Sequence, residues 1–547
     1  MREVPTTPRR RVVSAQDVEP EVVYWSRRQA LRPLQLFAST LLGFAFVVFM
    51  GWLTHVLDEP TQFDIELRAA TDVGRPRPWS PPYAAEGEVL DTIDFERVHA
   101  QLLPEWVISL QHDPYTLGRD REQRRFDALL SEAGKDPNLR SLLERLRDRA
   151  SFGVSMHALE ISFLMDGWNG YMQEAGLPWY VAHDLADTAR GGRLFTRSYR
   201  VQADLTARVS GNPHHLRVLR RVDSTNVGEM FFGQTNLDEQ RALVVSDRIA
   251  EFAMERLWPM MDSHTDHRLS AMDRAFAPAL RREAALVLSG EAIEALSQGA
   301  ALRRRMQDRL SDIATRKGCG RGIEVENLPW DGLTPRGRSI VARAADHNEK
   351  NRCARLTAAD AEFLLGASDA LSSDDALRGA LGELSSWLAR AVSVHEVRHL
   401  ADELQSSRAF ACDGCPSGMT KRGKAEVSAY VASLATEGVG YLSLYQACGV
   451  DLPTFHDSGG AVDFVTRVLA PEGCESVPPE KLYGSAQLLG WVLFKRTERI
   501  ELPSDFPVAL PLPAVRTTMP SPGFEALAEG PLQIRHARQA SFPMRSL

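Results

Sequence analysis

A helical stretch that sets two histidines and a glutamate among leucine, alanine and valine can be buried only if those polar groups find partners. Residues 384–399 are such a stretch. Leu384, Leu388, Ala391, Val392, His395 and His399 recur at steps of three and four residues and so share one helix face. Both imidazoles therefore project from the same side, one turn apart, and can take two corners of a zinc tetrahedron. Glu396 follows the first histidine, close enough to reach a water on that zinc and remove its proton. Arg390 and Arg398 flank this helix and it has no bilayer-length apolar run, so the site does not lie within a membrane.

The segment Ser393-Val394-His395-Glu396-Val397-Arg398-His399-Leu400 carries the pattern H-E-x-x-H, and here the chain resembles the zincin metallopeptidases. The resemblance covers the motif region only. The metzincin version would place a His or Asp six residues after the second motif histidine, but Gln405 stands there and Asp402 replaces the glycine. The gluzincin version takes a glutamate from a second helix as E-x-x-A, which Glu426-Val427-Ser428-Ala429 fits. The resemblance implies a zincin-like helical metallopeptidase domain in which His395, His399 and Glu426 hold Zn2+. It further implies hydrolysis of a protein or peptide substrate by a zinc-bound water, with Glu396 as general base. Where some families use an Asp four residues after the glutamate to orient a zinc-bound His, this chain has Tyr430. Asp402 lies one turn beyond His399 on the same face and is the candidate acceptor for an imidazole N–H. Glu437 and Asp402 are the next candidates for the third ligand. His456, Tyr441 and Tyr445 are candidate donors to a tetrahedral oxyanion.

The other constraint is near the N-terminus. Leu34 to Leu57 contains no charged residue and is long enough to cross a bilayer as a helix. Arg9, Arg10, Arg11, Arg27, Arg28 and Arg32 precede it; Asp58, Glu59, Asp64 and Glu66 follow. The positive-inside bias then sets residues 1–33 in the cytoplasm and the body outside, as a single-pass protein of the inner membrane. Ser26 to Arg32 also resembles a twin-arginine export signal, with an alanine in place of the usual phenylalanine. Residues 58–87 read as a stalk, stiffened by Pro76, Pro78, Pro81 and Pro82.

Beyond the stalk the pattern is mainly α with a β-rich insert. Residues 88–190 are helical in pattern. In the insert, 191–240, Tyr199, Val201, Ala203, Leu205, Ala207 and Val209 alternate with polar residues as in a strand with one buried face. Ser210-Gly211-Asn212-Pro213 turns the chain, Leu216 to Val222 returns, and Glu229 to Gln234 is a further candidate strand. Helices resume over 241–500, the peptidase domain. They include one capped by Thr357-x-x-Asp360 and others around Val462 to Leu469 and Ser485 to Phe494. The polar cluster Asp262 to His267 and the pair His214-His215 read as solvated residues rather than ligands. Residues 501–547 read as an extended tail.

All six cysteines fall in the half that holds the motif. For a body outside the membrane, Cys412 and Cys415 read as a disulfide staple, with Cys319–Cys353 and Cys448–Cys474 as natural companions among fifteen pairings. A net charge of −8 gives no reason to expect nucleic-acid binding. Two functions follow from different classes. One is a membrane-anchored zinc peptidase, with the lipid bilayer and a peptide as partners. The other is a non-catalytic envelope binding or assembly protein with a structural or decayed metal site and an envelope protein as partner.

Overall fold

The computed structural model describes Trp79, residues 81–83 and residues 87–506, apart from internal segments at 111–115, 153, 155–156, 189–190, 224–231, 237–238, 265–268, 317–334, 353–354, 405–411, 450–456, 497–499 and 504–505. The apolar run 34–57, most of the stalk, Cys319, Cys353, His456, part of the 262–267 cluster and the tail beyond Phe506 lie outside the described residues. Among the described residues no helix is long and apolar enough to cross a membrane.

The body is mainly helical, with a mixed β-sheet inserted between two sets of helices. Helices α1 (Leu103–Leu110), α2 (Thr116–Ala133), α3 (Pro137–Phe152) and α4 (Ala158–Glu174) come first. They enclose a core around Trp106, Leu142 and Trp168, closed by Trp179 and Leu194 of the sheet. The sheet itself begins at Trp179, earlier than the alternating pattern indicates. Its strands are β1 (Trp179–Thr188), β2 (Gly191–Val209), β3 (Asn212–Arg221), β4 (Gly233–Asn236) and β5 (Arg241–Val245).

Strand order is β1-β2-β3-β5-β4, antiparallel except for the parallel β3–β5 pair. The β2–β3 hairpin turns on Ser210 and Gly211 alone, at φ 50° and 82°. Positive φ at both central residues is what matches a tight hairpin to strand twist. Asn212 and Pro213 already pair with Val209 and Arg208. Strand β5, Arg-Ala-Leu-Val-Val, shows no alternation because it is central and buried on both faces. Among the described strands β4 lies at one edge of the sheet, β1 at the other, and β4 starts at Gly233, near the end of the expected Glu229–Gln234 run.

The second helical set holds the larger core. It comprises α5 (Ser246–Phe252), α6 (Ala271–Val287), α7 (Gly290–Thr315), α8 (Pro335–Lys350), α9 (Ala358–Ser373), α10 (Asp375–Leu404), α11 (Lys421–Leu434), α12 (Gly440–Cys448), α13 (Asp457–Leu469) and α14 (Pro479–Phe494). α9 opens with the expected capping box of Thr357 and Asp360. α13 and α14 start earlier than their apolar patterns indicate, the second with a proline in its first turn, where no N–H is needed. A short strand, β6 (Ile500–Glu501), pairs with the end of β2, so the chain re-enters the sheet where an extended tail is expected.

The helix that carries the motif, α10, is largely buried from Ala380 to Asp402, with Arg390 exposed. It packs against the sheet through β3, β5 and β4, and against α7 and α11. Two of its buried serines are satisfied internally: the Ser385 and Ser393 hydroxyls donate to the carbonyls of Leu381 and Ala389, each at 2.7 Å. Trp387 donates its ring N–H to the Gly438 carbonyl at 2.6 Å, tying α10 to the turn before α12.

In the first core, His99 stacks on Trp179 with ring centroids 4.7 Å apart. Its Nδ1 lies 2.9 Å from the Phe95 carbonyl, and its Nε2 accepts the Trp168 ring N–H at 3.2 Å. That pattern fits the neutral imidazole with its proton on Nδ1. Burial lowers the His99 pKa to about 4, against the opposing Phe95 carbonyl. Since the unfolded chain takes up this proton near pH 6.5, the stabilisation is complete above that pH and is lost as pH falls towards 4. The loss amounts to roughly 3 kcal/mol. Denaturant titrations between pH 7 and 4 should show wild type losing more stability than His99→Phe by about this amount. Parallel curves would contradict the assignment.

Candidate metal centre

His395 and His399 lie one turn apart on α10, ring centroids 4.7 Å apart. Their Nε2 atoms face each other at 3.1 Å. Glu426 approaches from α11, with its Oε2 at 3.6 Å from the His395 Nε2 and 3.7 Å from that of His399. α11 starts after Thr420, whose hydroxyl accepts the Gly423 N–H at 2.9 Å. Glu426 is buried and the histidines are half-buried. Among the described residues this is the one group of His, Cys, Asp or Glu side chains whose ligand atoms converge.

The spacing fits a metal ion. Four ligands at ordinary zinc distances are separated from one another by roughly 3.3 Å. A charge-assisted hydrogen bond from imidazolium to carboxylate would close to about 2.8 Å. Here the carboxylate oxygen stands back from both nitrogens almost equally. Two imidazoles and one carboxylate would supply a metal ion with three ligands.

The electrostatics agree. Burial drives the Glu426 carboxyl up, but the attraction of His395 and His399 outweighs it and holds the group well below the usual carboxylate range. Burial likewise lowers His399, and Glu426 more than compensates, raising it to about 9. The pocket thus keeps the Glu426 carboxyl ionised beside the two imidazoles.

Glu396, on the next position of α10, is buried and lines the same pocket. Burial raises its carboxyl above the ordinary value, against the opposing pull of His395 and His399. Thr235 of the edge strand donates its hydroxyl to Glu396 Oε2 at 3.0 Å and lies 3.1 Å from the Glu396 carbonyl. Gly233 lets β4 come this close: a Cβ there would stand 2.6 Å from Glu396 Cγ and 2.7 Å from Val392 Cγ1. The ring of Tyr430 packs edge-on against His395 at 4.8 Å, occupying the place of the usual orienting aspartate.

Other expected site residues are placed elsewhere. Asp402 does not serve an imidazole; one of its oxygens takes Arg398 Nε at 2.9 Å and Arg496 at 2.9 Å. Arg398 sits four residues before it on the helix, and a permanent cation outcompetes an imidazole for the carboxylate. Tyr445 gives its hydroxyl to Asp273 at 2.7 Å. Tyr441 is packed against Phe276, and its backbone N–H is held by Glu283 at 2.8 Å. Neither tyrosine lines the pocket. Disulfides join Cys412 to Cys415 and Cys448 to Cys474. The first lies between α10 and α11, and its loop is hooked to α14 by the Asp413 N–H on the Leu493 carbonyl at 2.9 Å.

Thr235, Gly233 and the packing of Tyr430 on His395 are not foreseen from the sequence. Thr235 and Gly233 sit in a four-residue strand without apolar alternation, and nothing local ties them to a helix 161 positions away. Compared with known proteins, the chain matches no family model, no curated protein and no solved structure.

Two outcomes follow from this geometry. Glu426→Ala should lower bound zinc, measured by metal analysis, about as strongly as His399→Ala; wild-type zinc content in Glu426→Ala would reject it as a ligand. Gly233→Ala should destabilise the fold by about 1–3 kcal/mol in denaturant unfolding, because β4 must move off α10. An unchanged midpoint would contradict the close approach.

Proposed function

We propose that this chain is a zinc-dependent peptidase of the zincin type. The observation that carries the reading is the position of Glu396, a carboxylate beside the His395–His399–Glu426 group, in the same pocket, held by Thr235. A site that only stores or structures a metal has no use for a second, non-ligating carboxylate fixed there. When bound, zinc supplies Lewis acidity to the scissile carbonyl and to the attacking water. Glu396 takes the proton from that water and passes it to the departing amine. Thr235 occupies Oε2, which leaves Oε1 to carry the proton. The edge strand β4 borders the pocket, so a peptide added to it as a further strand would run past His395 and Glu396.

We place the body outside the cytoplasm, anchored by residues 34–57. The arginines before that run and the acids after it support this topology. So do the two disulfides, which persist in oxidising compartments. Protease added to spheroplasts should then digest the body and spare residues 1–33; the reverse pattern would overturn the topology.

For the reaction, Glu396→Gln keeps size and hydrogen bonding but cannot act as a base. It should retain zinc while hydrolysis falls by a factor on the order of a hundred or more. Peptide fragments released from an envelope extract by wild type, by Glu396→Gln and by chelated protein give the readout. Identical profiles from zinc-loaded protein would reject the peptidase in favour of a binding module.

A further inference from the structure

The pocket that holds the metal group is also lined by Ser433 of α11, Ser443 and Gln446 of α12, and Ser458 of α13. Ser433, Ser443 and Gln446 are neither members of the metal group nor hydrogen-bond partners of Glu396. Ser433 donates its hydroxyl to the Ala429 carbonyl at 3.0 Å, and Ser443 donates to Val439 at 2.9 Å. Having given up their protons, both oxygens present only lone pairs to the pocket. Gln446 differs: its Nε2 is buried and has no hydrogen-bond partner among the described residues. Leaving such a donor unpaired costs about 1–3 kcal/mol, and native structures rarely tolerate it without a purpose. Since Gln446 lines the pocket, a bound group with an acceptor atom would recover that cost.

The lining fixes the kind of group. Gln446 offers an amide donor, Ser433 and Ser443 offer hydroxyl acceptors, and among the described residues no lysine or arginine lines the pocket. A carboxylate would face the serine lone pairs, Glu396 and Glu426, with only the metal centre itself to offset them. An aliphatic side chain would leave Gln446 unpaired. The cavity is about 50 Å³, space for a few water-sized positions, so the group is small.

We infer that Gln446 and its serine neighbours form a specificity subsite for a small, uncharged, hydrogen-bonding side chain (asparagine, serine or threonine) next to the scissile bond. This rests on the peptidase reading for the words "scissile bond" but not for the recognition itself. Asparagine and leucine are nearly isosteric, so their hydroxamates compare the two kinds of side chain on one metal-binding group. Calorimetry on the zinc-loaded full chain in detergent should show L-asparagine hydroxamate binding roughly tenfold tighter than L-leucine hydroxamate, the scale of one buried hydrogen bond. In Gln446→Met the ratio should fall to about one, with zinc content unchanged. Equal binding of the two by wild type, a ratio that survives in Gln446→Met, or binding of neither would overturn the subsite. Failure of the peptidase reading is distinct: it shows as the absence of Glu396-dependent fragments, whichever hydroxamate binds better.

Discussion

The arrangement depends on burying a carboxylate between two imidazoles. Glu426 is almost wholly out of water, and an isolated carboxylate there would cost several kcal/mol. His395 and His399 make the burial tolerable, and they can do so only if α10 presents both on one face and α11 brings Glu426 opposite them. The long apolar run of α10, the Thr420 cap that starts α11 and the disulfide-bracketed loop before it all serve that convergence. A bound cation completes it by supplying the charge that the donor set is arranged to accept.

The sheet adds what the helices cannot. Edge strand β4 crosses the motif helix at Gly233 and delivers a hydroxyl to Glu396 from outside the helical core. A carboxylate fixed in this way is held in one orientation without being tied to the metal ligands. The opposite side of α10 is secured differently, by Arg398 and Arg496 gathered on Asp402, with Arg496 also bound to Ser428 of α11 at 2.6 Å. The two helices that carry the ligands are therefore clamped together behind the site as well as at it.

The parts of the centre that are local in sequence are legible there. H-E-x-x-H fixes the relative placement of His395, Glu396 and His399 through helix geometry alone, and E-x-x-A on the next helix singles out Glu426. Contacts made across the fold are not legible in that way. Thr235 belongs to a short polar strand whose pairing depends on β5, itself a fully buried strand without alternation. Nearness in sequence also misleads about facing: on α12, Tyr441 and Tyr445 turn to Phe276 and Asp273, while Ser443 and Gln446, between and beside them, turn to the pocket. Asp402 has the right helical offset for an imidazole, but Arg398 has a better one and a permanent charge.

One metal ion held by His395, His399 and Glu426, and by no cysteine, would carry a donor set of nitrogen and oxygen alone. Zinc K-edge X-ray absorption on the full chain, purified without chelators, tests this most directly. The expected result is about one zinc per chain, a shell of nitrogen and oxygen near 2.0–2.1 Å, and the outer-shell scattering of two imidazoles. A sulfur shell near 2.3 Å, or protein that takes up no zinc, would contradict it.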